Sequence, residues 1–140
     1  MAEFKPAIIA LEVWRAVEAQ HRIATMVLVD SVDELLFAVR ADSGLRLDPA
    51  LGYDFYGTDV VLKAREAGLP SAVIDAYCEH WSDTPMGGTT PAKLVQRILA
   101  SAAVFEGKWQ HRLPITTSCF DIAATGDVQK FVDRFVEPVL

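Results

Sequence analysis

Apolar positions along this chain change period several times, and each change marks an element. Over residues 6–20, Ile9, Val13, Ala16 and Val17 recur at helical spacing. Pro6 suits a first helical turn because it has no amide hydrogen to satisfy there, so the pattern predicts a helix. Residues 23–29 form a short apolar run rich in branched side chains, which predicts a buried strand. Ser31-Val32-Asp33-Glu34 fits a capping box, with Ser31 as cap and Glu34 at the third helical position. Val32, Leu35, Leu36 and Val39 would then form the apolar face of a helix that stops at Gly44.

Residues 45–52, with Asp48-Pro49, read as a loop or short extended piece. A helix is expected over 56–67, closed by Gly68 and Pro70, with Val60, Val61 and Ala64 facing inward. Residues 71–76 read as a strand, and 78–90 as a loop broken by Pro85 and Gly87-Gly88. Thr90-Pro91 reads as a cap and a first-turn proline before a long helix to about Glu106. Its core face is Leu94, Ile98, Ala102 and Phe105. Residues 115–122 predict a strand. Residues 126–137 predict a last helix, whose Val128, Phe131, Val132, Phe135 and Val136 make a wide apolar stripe. Helices and short strands alternate throughout. The expectation is one α/β domain over 1–140, a small mixed sheet with about four flanking helices.

Composition narrows the function classes. Hydrophobic residues make up 51% of the 140, and the mean hydropathy is +0.22. Such a chain can bury a core and still present apolar surface to a partner. The net charge is −6, with Lys and Arg scattered singly, so the field disfavours nucleic acid and anionic membranes. Cys78 and Cys119 stand far apart, match no disulfide or zinc spacing, and read as small core residues; a reducing cytoplasm is the simplest compartment. No basic segment followed by an apolar one opens the chain, and no apolar run approaches the ~20 residues that span a bilayer.

Motifs for dinucleotide binding, P-loop nucleotide binding, zinc proteolysis and serine hydrolysis are absent from the sequence. The densest polar stretch is Tyr53-Asp54-Phe55-Tyr56-Gly57-Thr58-Asp59. Asp59 falls in a first helical turn, where it serves either the helix dipole or as a general base open to a substrate hydroxyl. Cys78-Glu79-His80-Trp81-Ser82-Asp83 follows a strand and opens a loop. His80 is either a metal ligand or a hydrogen-bonded structural residue, and Trp81 either a stacking platform for a sugar or a half-buried side chain. The basic-aromatic turn Lys108-Trp109-Gln110-His111-Arg112 either touches phosphates or docks a helix C-terminus.

Taken in order, Val32-Asp33-Glu34-Leu35-Leu36, Val39 to Asp48, Phe55-Tyr56-Gly57-Thr58-Asp59, Ala64-Arg65-Glu66-Ala67-Gly68-Leu69, Val73-Ile74-Asp75-Ala76 leading to His80, and Lys108-Trp109 with Arg112-Leu113-Pro114 form a recognisable series. The series resembles the C-terminal half of bacterial family-2-type glycosyltransferases of the GT-A fold, over about residues 23–116. The resemblance implies sugar transfer from a nucleotide-sugar donor to an acceptor hydroxyl with inversion. It implies Asp59 as general base and His80 as a ligand completing a divalent Mn²⁺ or Mg²⁺ site. It places Asp33, Glu34 and Arg40 on the active-site side; with Asp33 and Arg40, Tyr56 and Trp81 are the candidate substrate-binding residues. The chain departs from the family in lacking any Asp-x-Asp, the motif that holds metal and diphosphate, and in having Trp81 where relatives often carry Asn. Any metal would therefore be held weakly, because Mg²⁺ and Mn²⁺ require several oxygen ligands. The resemblance further implies dependence on a donor-binding half, supplied by a separate chain or by a longer chain of which this is a fragment. A non-catalytic binding or oligomerisation module, a homodimer or held to a stable hetero-partner through an exposed sheet edge, is the alternative.

Overall fold

The computed structural model describes residues 27–74 and 90–136, and the backbone of 8–11. These residues form two compact units interleaved in sequence: 8–47 with 56–74, and 48–55 with 90–136, within those bounds.

The first unit is a four-stranded sheet with one helix. Its strands are β1 (Ile8–Leu11), β2 (Val27–Leu28), β3 (Phe37–Val39) and β4 (Ser71–Ile74), in the order β2-β4-β1-β3. β1 and β4 run parallel, with Ile8 opposite Ser71, while β1–β3 and β2–β4 are antiparallel. The sheet is thus mixed, as expected. The parallel pair requires a crossover, and helix α1 (Tyr56–Glu66) lies within it. α1 forms where expected and turns Val60, Val61 and Ala64 inward at 0–2% exposure. Val32 joins that cluster, and Val29, Phe37, Val39, Leu45, Leu69 and Val73 pack around it. Each fully buried valine contributes roughly 2 kcal/mol by area. Gly68 closes the helix at φ 70°, a left-handed turn that glycine adopts without a Cβ clash.

Two helices expected in this unit are strands or extended chain. Residues 8–11 are the central strand β1, while 12–20 lie outside the described residues. The branched pair Ile8-Ile9 in a continuous apolar run suits a strand buried between neighbours, and that outweighs the helical spacing further on. The expected capping box at Ser31–Glu34 starts no helix: 31–36 is extended or bent, and 37–39 is β3. Of the supposed apolar face, Val32 is buried at 3%, but Leu35 and Leu36 are exposed. Gly44 does end a turn, a short 3₁₀ segment Ala41–Ser43, with φ 74°.

The second unit is built on α2 (Ala92–Trp109), with the antiparallel hairpin β5 (Ile115–Thr116) and β6 (Asp121–Ile122), and a short α3 (Asp127–Val132). Three helices in all are described, mixed with two small sheets. Leu51, Phe105, Trp109, Ile122 and Val128 form its core at 0–2% exposure. The cap of α2 is Pro91, one residue later than expected, and its carbonyl accepts from Leu94 and Val95. The strand expected over 115–122 is broken by a turn. Thr117 Oγ1 accepts the amides of Phe120 (3.1 Å) and Cys119 (3.3 Å), a local bond that competes with a strand ladder. Cys119 is therefore exposed on that turn, not in the core; Cys78 lies outside the described residues. The last helix gives way to a 3₁₀ turn at Asp133–Phe135, and Phe135 and Val136 of its stripe are exposed.

Candidate functional site

The start of α1 gathers the first unit's candidates. The chain enters through Phe55 at φ 65°, an uncommon conformation for an aromatic residue. Within the second unit, Phe55 stacks on Phe105 at 5.2 Å. In the first unit Tyr56 donates its hydroxyl hydrogen to the carbonyl of Glu34 at 3.1 Å, and Gly57 N–H donates to Glu34 Oε1 at 3.1 Å. Glu34 thus caps α1 from twenty-three residues away, in place of closing a box with Ser31. The approach is close: a Cβ on Gly57 would stand 2.8 Å from the Val32 carbonyl oxygen. Only glycine fits beneath that backbone.

Asp59 lies in the first turn, as expected, but its exposure is 0%. Lys63, one turn on, places Nζ 2.8 Å from Asp59 Oδ2, a contact of charges and not a well-aligned hydrogen bond. Lys63 also donates to the Arg46 carbonyl at 3.0 Å and is itself only 27% exposed. As folded, the carboxylate has no solvent contact, and an acceptor hydroxyl does not reach it. A carboxylate in this position stabilises the helix start, where the backbone dipole favours negative charge.

The other candidates are distributed differently. Asp33, partly exposed, precedes the capping residue Glu34. Arg40 donates Nε to Asp42 Oδ1 at 2.7 Å, while its carbonyl accepts from the Ser43 amide and hydroxyl. Its guanidinium is thereby engaged with the turn that follows β3. His80 and Trp81 lie outside the described residues. Among the described residues, no three His, Cys, Asp or Glu side chains group as a metal site, and no helix is long and apolar enough to cross a membrane.

No family model, curated protein or solved structure matches this chain.

The basic-aromatic turn of the second unit has a structural occupation. Lys108 pairs with Asp48 at 2.7 Å and lies over the Trp109 ring at 5.5 Å, and Trp109 is buried. Toward the start of α2, Arg97 forks onto both oxygens of Asp54 at 2.9 and 3.0 Å, which raises the guanidinium pKa above its ordinary value. The Lys63 contact with Asp59 went unread in the sequence although its signal was there: an acid followed four residues later by a lysine faces it on a helix. The remote cap by Glu34 left no such signal, since nothing local links residues 34 and 57.

Proposed function

We propose that these residues form a glycosyltransferase-like domain, the acceptor-side half of a GT-A-type sugar-transfer fold, which transfers sugar only together with a donor-binding half, in a separate chain or elsewhere in a longer one. The order of motifs from Val32 to Pro114 supports the ancestry. The observation that carries the dependence is Asp59, at 0% exposure under Lys63. A general base needs hydrogen-bond reach to the proton it removes. The exposed Val27 and Leu28 on the edge strand β2, with Leu35 and Leu36, supply apolar surface that a second polypeptide would cover. The second reading, a binding or oligomerisation module with no transfer in any assembly, is favoured by the same burial of Asp59.

Calorimetric titration of UDP-, GDP- and dTDP-sugars with Mn²⁺ tests the proposal. The expected result is no saturable, metal-dependent heat from the chain alone. Specific binding that disappears in a folded His80→Ala variant would mean the site is complete in this chain, and the proposed dependence would fall.

A further inference from the structure

Among the described residues, Phe55 alone has a positive φ, 65°, without being glycine. For a residue with a Cβ, a left-handed backbone is disfavoured roughly 5- to 30-fold in population. Both neighbours of Phe55 are tied down. Asp54, before it, is fixed within the second unit. Arg97 forks onto its carboxylate at 2.9 and 3.0 Å, Ser101 Oγ donates to its Oδ2 at 3.3 Å, and its amide donates to the Leu51 carbonyl at 3.4 Å. Tyr56, after it, opens α1, and the Tyr56 hydroxyl and the Gly57 amide bond that helix start to Glu34.

Glycine would take this conformation without strain. What phenylalanine adds is a ring, half-buried and stacked on Phe105 at 5.2 Å with the planes 27° apart. Phe105 is itself fully buried. A ring pair of this kind is worth about 2- to 12-fold in population beyond the area it covers. Strain and stacking are therefore of one size and opposite sign. The backbone at residue 55 stays left-handed because the ring stays stacked. A strained residue balanced by one contact marks an element with a second state close in free energy.

We propose that Phe55 is a latch on the first turn of α1. Stacked on Phe105, it holds that turn closed with Asp59 inside; with the ring released, residue 55 relaxes and the turn opens, giving solvent access to Asp59. In the transferase reading the open state is the one in which an acceptor hydroxyl meets Asp59, but the latch does not rest on that reading.

Two substitutions in the full chain separate ring from strain: Phe55→Ala loses the ring and keeps the Cβ, while Phe55→Gly loses both. In Phe55→Ala, amide exchange at Gly57, Val60 and Val61 is expected to rise about tenfold over the unmodified chain. In Phe55→Gly it is expected to be about tenfold slower than in Phe55→Ala. Carbodiimide coupling of glycinamide to carboxyl groups, mapped by mass spectrometry, is expected to modify Asp59 faster in Phe55→Ala than in the other two proteins. Equal exchange in the two variants would overturn the latch. So would acceleration spread evenly over α1 and β4, which is loss of the whole unit. Faster exchange without faster coupling at Asp59 would overturn the control of access. One reading needs no variant: in the unmodified chain Gly57, Val60 and Val61 should exchange together and faster than Ala64 and Ala72. A common rate for all five would mean that no local opening exists, and the proposal would fall even if a variant failed to fold.

Discussion

The two units begin a helix with the same parts and bury different ones. α1 is capped by Glu34 through the Gly57 amide, and α3 by Glu106 through the amides of Gly126 (2.8 Å) and Val128 (3.4 Å). Each helix also has an aspartate in its first turn with a lysine one turn later: Asp59 with Lys63, and Asp127 with Lys130. In α1 the aspartate is sealed at 0% and the glutamate is partly exposed. In α3 the glutamate is buried at 6%, and the aspartate side chain remains 19% exposed beside a lysine at 72%. An ion pair or a cap matters in proportion to the water it excludes. The residue on which each helix depends should therefore be the buried one, which differs between the units.

The sharpest break of that comparison is at the lysines. Lys63→Met removes a positive charge 2.8 Å from a carboxylate with no solvent contact. Losing one partner of a buried pair costs about 3–5 kcal/mol, and the partial exposure of Lys63 puts the expected loss near the lower end, about 3 kcal/mol. Lys130→Met should be nearly silent, because an exposed lysine contributes little. Urea unfolding combined with amide exchange in each unit would check both, since two units need not unfold in one step. Similar losses for the two variants would show that burial does not set the ranking.

The ranking should invert at the glutamates. Glu106→Ala leaves the Gly126 and Val128 amides without their acceptor in a buried setting, for a loss of about 2 kcal/mol. Glu34→Ala takes the acceptor from a single amide, that of Gly57, where Glu106 serves two, for a loss of about 1 kcal/mol, the ordinary worth of a cap. Faster exchange confined to the amides of Gly126 and Val128 in the first variant, and to Gly57 in the second, is the expected signature. A larger loss from Glu34→Ala than from Glu106→Ala would sink the comparison.

These two helix starts also mark how far the sequence was legible. α1, β4, most of α2 and the inward set Val60, Val61 and Ala64 follow from local periodicity and glycine stops, and they stand in the structure. The failures share a cause: a local pattern answered by a distant partner. Glu34 has the spacing of a capping box, yet its carboxylate serves Gly57, and the residues between Ser31 and Val39 become chain and strand. The run at 8–11 looks helical until β3 and β4 flank it. The polarity and position of Asp59 were readable, but its burial depends on how α1 meets the sheet, which no window of sequence contains. Lys63 was readable by spacing alone.

The smallest effect separates the two aspartates by pH. Asp127 is held below the ordinary carboxyl pKa of 3.8, first by the hydrogen bond from Lys130 and then by the amide of Ala124. A carboxyl with a lowered folded pKa stabilises the fold fully above its unfolded value and loses that contribution as pH falls through the folded one. Stability of α3 should therefore decline below about pH 3.8 in the unmodified chain. Asp127→Asn can still accept from the Ala123 and Ala124 amides but cannot carry charge, so it should start less stable at neutral pH and converge with the unmodified chain in acid. Amide exchange at Ala123 and Ala124 across the acid range reads this directly. A gap between the two proteins that stays constant with pH would mean that the charge of Asp127 contributes nothing, and that its value to the helix lies wholly in its geometry as an acceptor.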